Sequence, residues 1–149
     1  MTGVPVLDPR SALQQRPSIE QISAQYEQMQ QRLRDLLDRL VGPLRWAVSA
    51  PETKVECSEF SGADAESRVL QSWRAAQPVA DVDWPSAVSI VRSITAEYGF
   101  GEPEIIVNRT GDHEITGNDS YGGVYTFGTS RGTILTVTTG CHLPGALKS

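Results

Sequence analysis

The sequence predicts an α+β fold: a two-layer sandwich in which two helices pack on one face of a mostly antiparallel sheet, in the order α-β-β-α-β-β-β. Three observations predict it. Two stretches, 19–41 and 84–98, carry apolar residues at the three- and four-residue steps of an amphipathic helix. From residue 104 onward the pattern changes to strands, with Gly, Asn and Asp gathered between them. A chain of 149 residues, 39% of them apolar, is long enough for one domain to bury a core of its own.

Residues 1–17 contain Pro5, Pro9 and Pro17 and show little periodicity, so they read as a flexible tether ahead of a single globular domain at 18–149. Ser18 and Gln21 form the sequence signature of a capping box, which starts the first helix. Ile19, Ile22, Tyr26, Met29, Leu33, Leu36, Leu37, Leu40 and Val41 then make one apolar stripe, ended by Gly42 and Pro43. The same spacing fits a short coiled-coil seam, but a helix lying on a sheet is the ordinary reading.

Leu44–Ser49 and Thr53–Ser58 have strand-like content and are parted by the turn-prone Ala50, Pro51 and Glu52. In the second, Thr53, Val55 and Cys57 share a face. Arg68–Ala76 suits a strand, although Val69, Trp73 and Ala76 also have helical spacing. Asp83 and Pro85 open the second helix, which presents Ala87, Ile90, Val91, Ile94 and Tyr98 on one face and stops at Gly99. Glu104–Arg109, Tyr121–Thr129 and Thr133–Gly140 follow as an antiparallel meander. In the last of these, Leu135, Val137, Thr139 and Cys141 point one way and Ile134, Thr136 and Thr138 the other.

The net charge of −5 comes with scattered Lys and Arg, so the chain has no basic cluster with which to grip nucleic acid. No apolar run approaches the roughly 20 residues of a membrane-spanning helix. Gly128-Thr129-Ser130-Arg131-Gly132 matches the G-x-S-x-G of serine hydrolases. That motif requires a strand turning into a helix and an acid later in the chain. Here strands are expected on both sides, and no Asp or Glu follows Ser130. A hairpin turn is the better reading.

His113, in the polar run Gly111-Asp112-His113-Glu114, is expected to be solvated in a turn, with general-base chemistry beside Asp112 as the alternative. His142 directly follows Cys141, so in an extended chain the two side chains diverge and do not suit one metal. Asp112, Asn118 and Asp119 lack the spacing of a calcium loop. The residues therefore indicate no metal and no cofactor. Asn108-Arg109-Thr110 fits the glycosylation acceptor pattern but is assigned no role. Gly117–Gly123 has neither the Lys nor the helix of a phosphate loop, so it reads as a turn around Tyr121. Trp46, Trp73 and Trp84 are expected in the core rather than around a ligand.

Strand parity lets Cys57 and Cys141 face the same layer, which permits a bridge; two unpaired buried thiols would fit the residues equally well. Several strings bear on the choice. They are "YEQMQQRL" in the first helix, Trp46 shortly after it, "VEC" at Val55–Cys57, "SAVSIVRSITAEYGF" at Ser86–Phe100 and "TTGCHLP" at Thr138–Pro144. In this order they resemble the mycobacterial LppA-like lipoproteins, and the likeness covers most of residues 18–144.

The resemblance implies an oxidising compartment, and hence a disulfide between Cys57 and Cys141. It also implies a signal peptide and a lipid-bearing cysteine upstream, anchoring the domain to the outer face of the plasma membrane. It brings no catalytic signature. The expected function is thus a non-catalytic, monomeric cell-envelope domain that binds a protein, lipid or glycan. One alternative is a small envelope hydrolase using His113 or His142. Another is a structural or immunity-type surface protein acting through its long helix.

Overall fold

The computed structural model describes residues 9–149, so the first eight residues of the expected tether lie outside it. Among the described residues there are three helices and eight strands, in the order α-α-β-β-β-β-α-β-β-β-β. The expected mixture of helix and antiparallel sheet is therefore present, and the expected order is corrected at three points.

The first correction is a helix, α1, at Pro9–Gln15. Its Leu13 is wholly buried beside Cys57, Cys141 and Leu143. The later part of the expected tether thus holds a helix seated on the domain by Leu13, where a solvated arm was expected. The missed signal is short, because Ala12 and Leu13, adjacent within seven residues, give no helical periodicity to read.

The second helix, α2, runs over Ile19–Val41. Its capping box is complete: the Gln21 N–H donates to Ser18 Oγ at 3.1 Å, and the Ser18 N–H donates to Gln21 Oε1 at 3.0 Å. Gly42, at φ 88°, takes the left-handed backbone that ends the helix. The stripe of Ile19, Ile22, Tyr26, Met29, Leu33 and Leu37 is at most 2% exposed.

The second correction concerns the strands after α2. β1 (Trp46–Ala50) and β2 (Thr53–Glu56) pair antiparallel with β4 (Ser72–Ala75) and β3 (Glu66–Val69), respectively. The chain therefore does not reverse at Pro51. Instead, 46–56 and 66–75 form the two limbs of one long hairpin, and both limbs break near their middle. Pro51, which lacks an N–H, and the pair Leu70-Gln71 stand at the breaks. The expected strand Arg68–Ala76 is divided accordingly.

After β4, α3 spans Trp84–Glu97 and has Pro85 in its first turn. The last four strands are β5 (Glu104–Arg109), β6 (Asp112–Asn118), β7 (Val124–Thr129) and β8 (Thr133–Thr138). β6 is the third correction, since it occupies residues expected to be turns. The sheet order is β1-β4-β8-β7-β6-β5, and β3 pairs with the far end of β8.

One core joins α2 and α3 to a single parity of the strands, through Ala75, Ile115, Tyr125, Phe127, Leu135 and Val137. Gly117 also faces this side. A Cβ there would stand 2.2 Å from Tyr125 Cε2, so the tyrosine ring lies directly over its backbone. The opposite parity, including Thr116, Thr126, Thr136 and Ile134, stays half-buried. Thr116, Thr126 and Thr136 stand opposite one another across β6, β7 and β8.

Candidate functional site: an arginine-flanked groove

On that outer parity, four residues fall in one cross-strand row: Arg74 on β4, Ile134 on β8, Gly128 on β7 and Glu114 on β6. Adjacent strands lie about 4.8 Å apart, so Arg74 and Glu114 are roughly 14 Å apart at the backbone. Gly128 contributes no side chain between them. A Cβ at this position would meet His113 O at 2.9 Å and the Glu114 Cβ and Cγ at 3.4 Å. The result is a groove of about 500 Å³ over the row, with Asp112, Ser130 and Arg131 also lining it.

The β7–β8 turn shapes one wall. The Ser130 N–H donates to Gly132 O at 2.8 Å, closing the hairpin expected from Gly128–Gly132. A Cβ on Gly132 would come within 2.4 Å of Ala75 O, so only glycine lets the turn press against the end of β4. The contact joins the residue after Arg131 to the residue after Arg74, and both arginines line the groove. Of the charged lining residues, Asp112 is paired with Arg109 at 2.8 Å. Arg74, Arg131 and Glu114 have no ion-pair partner among the described residues.

His113 lies on β6 and turns its ring to the other side of the sheet, where it is buried. It stacks on Trp84, with centroids 4.9 Å apart, and Trp84 in turn stacks on Phe127 at 5.0 Å. The expectation of a solvated turn is corrected: inward strand parity buries this ring. The carboxylate beside it is Asp81 and not Asp112. Asp81 Oδ1 stands 2.6 Å from Nε2, and Asn108 Oδ1 stands 2.9 Å from Nδ1. The Gly111 N–H, followed by the His113 ring, holds Asp81 below the usual carboxylate range. With both ring nitrogens engaged by side chains, neither is left to meet a substrate.

The disulfide Cys57–Cys141 is present, with Cα atoms 5.9 Å apart. Its surroundings differ from expectation. Val55 is 43% exposed, and Cys57 lies beyond the end of β2, so the bridge sits in a small separate cluster with Leu13 and Leu143.

His142 is fully buried. Its Nδ1 lies 2.9 Å from Pro17 O, and its Nε2 has no hydrogen-bond partner. Burial pushes its pKa down. Asp119 is held by the Tyr26 hydroxyl and by the Tyr121 and Gly123 N–H groups. Trp84 is buried, while Trp46 and Trp73 are half-buried; Trp46 Nε1 donates to Asp38 Oδ1 at 3.1 Å, and the Arg34 guanidinium lies 3.7 Å over Trp73.

The sequence profile of the LppA family, described as a lipoprotein confined to pathogenic Mycobacterium, matches residues 5–145. The crystal structure of the lipoprotein LppA from Mycobacterium tuberculosis is similar at a TM-score of 0.70 and 14% identity, over 92% of this chain and 85% of that one. A DUF4853 family protein from Actinomyces odontolyticus is similar at a TM-score of 0.63 and 15% identity, over 88% and 72% of the two chains. No curated protein matches the chain. At these identities the two structures speak for the fold alone, while the profile runs through almost the whole sequence: the chain belongs to the LppA lipoprotein family.

Proposed function

We propose that this chain is the non-catalytic binding domain of a cell-envelope lipoprotein, held at the outer face of the plasma membrane by a lipid anchor, and that its ligand lies on the uncovered sheet face. The observation that carries this reading is the groove over Gly128. It is a depression built by glycine positions and lined by Arg74, Arg131 and Glu114, which have no ion-pair partner among the described residues. Its size falls in the usual range of small-molecule sites.

The hydrolase alternative has one point in its favour, since His113 does meet a carboxylate. Against it, the ring has no free nitrogen, and His142 is enclosed without access to solvent. The long-helix alternative needs an apolar stripe on offer to another chain. The stripe of α2 is instead spent on the domain's own core, which supports a monomer.

The test is to screen the purified domain by calorimetry against sugars, anions and lipid vesicles, in parallel with ester, amide and glycoside hydrolysis assays. Stoichiometric binding without turnover supports the proposal. Turnover abolished by His113→Gln or His142→Asn, or no binding to any class, overturns it.

A further inference from the structure

We infer that the groove over Gly128 binds a small anionic sugar or polyol, with its phosphate or carboxylate between Arg74 and Arg131 and its hydroxyls toward Ser130 and Glu114. This rests on the binding reading above and names the chemistry of the ligand.

The two ends of the groove differ in kind. Arg74 and Arg131 both line the groove, and Gly132, next to Arg131, presses the hairpin against Ala75, next to Arg74. In a chain of net charge −5, two guanidiniums lining one groove with no ion-pair partner among the described residues are a concentrated positive spot. Guanidinium pairs grip planar or tetrahedral oxyanions through charge-assisted hydrogen bonds. Across Gly128 stands Glu114, a carboxylate with no ion-pair partner among the described residues, whose lone pairs can accept from hydroxyl donors.

A simple anion would leave Glu114 unused. A neutral sugar would leave the arginines unused. A ligand with an anion at one end and hydroxyls at the other satisfies both. Ile134 and the bare backbone at Gly128 supply a floor on which the carbon skeleton of such a ring can lie. Asp112 does not compete for the arginines, being paired with Arg109.

The test is isothermal titration of the purified domain with glucose 6-phosphate, glucuronate, glucose and inorganic phosphate, repeated with Arg74→Gln, Arg131→Gln, Glu114→Gln and the remote control Arg39→Gln. All four positions are at least partly exposed, so folding is checked by thermal melts that should coincide. Glucose 6-phosphate or glucuronate is expected to bind, with each groove arginine substitution weakening binding about tenfold or more. Arg39→Gln should leave affinity unchanged. Glu114→Gln should narrow the preference for glucose 6-phosphate over inorganic phosphate.

Vesicles containing phosphatidylinositol distinguish the source of the ligand. Binding that glucose 6-phosphate displaces supports a lipid head group, and binding to the free sugar phosphate alone supports a soluble ligand; both sustain the inference. Anion binding that is indifferent to Arg74 and Arg131, or equally lost in Arg39→Gln, overturns it. Binding of glucose or of an apolar ligand with no anion preference overturns it while leaving the binding reading intact. Absence of binding by every probe in this test and in the broader screen defeats both.

Discussion

Nε2 of His113 lies 2.6 Å from Oδ1 of Asp81, a contact that ties the loop before α3 to the inward side of β6 across 32 residues of sequence. Asp81 is held below its ordinary pKa by the Gly111 N–H and then by this ring, so the folded state prefers the charged carboxylate. A depressed carboxylate stabilises the fold at pH values above its unfolded pKa, and this contribution fades as pH falls through the folded value. Thermal melts between pH 6 and pH 2 should therefore show Asp81→Asn less stable than wild type at pH 6. The two should converge at the acid end. A constant gap across the range would show that the charge has no part in the effect.

That contact also marks where sequence reading stops. α2 and α3 were legible because their signals are local: a capping box whose two halves are three residues apart, a stripe at helical spacing, and glycines at 42 and 99 with positive φ. β7 and β8 were legible from Tyr125, Phe127, Leu135 and Val137 at two-residue steps. β6 was not. Its inward residues are His113, Ile115 and Gly117, and only one of these carries a hydrophobic signal.

His113 looked polar and solvated because its partners, Asp81, Trp84 and Phe127, come from elsewhere in the chain. The groove was equally hidden. Ser130 drew notice through a motif, but the row from Arg74 to Glu114 exists only once four strands are in register.

His142 gives a second pH dependence, at higher pH. Its ring is buried, Nδ1 donates to Pro17 O, and Nε2 faces no acceptor, so burial disfavours the protonated form and lowers the pKa. The unfolded chain then takes up the proton first as pH falls below about 6.5, and stability declines from that point downward. His142→Asn keeps a donor toward Pro17 and removes the titration. Melts at pH 7.5, 6 and 5 should show a fall in Tm for wild type that is shallower in the variant. Parallel curves would refute the assignment to His142.

Leu13 separates a packed α1 from a solvated arm. The side chain is wholly buried against the disulfide and Leu143. Leu13→Ala should cost about 2–3 kcal/mol, at the low end for a buried leucine because the cluster is small and can partly collapse. On a solvated arm the same change would stay within about 0.5 kcal/mol. Urea denaturation of the two proteins, compared at equal m, measures the difference.

The disulfide has two separable effects, and one experiment reads both. Cys57 and Cys141 are 84 residues apart, so on the chain-entropy account the bridge stabilises the fold by about 4–5 kcal/mol through the unfolded state. For a domain of this length, losing it should lower Tm on the order of 10 °C. The bridge also forms part of the surface on which α1 rests, since Leu13 packs there and Arg16 Nη1 donates to Cys141 O at 2.8 Å.

Removing the bridge with Cys57→Ala and Cys141→Ala should therefore loosen α1 in the folded state. Leu13→Ala should then cost less in that background than in the bridged protein, by about 1 kcal/mol or more, as expected for groups in contact. A purely entropic bridge would leave the cost of Leu13→Ala unchanged. Denaturant titrations of the four proteins decide between the two, and a thiol assay on the denatured, unreduced wild type should find no reactive cysteine.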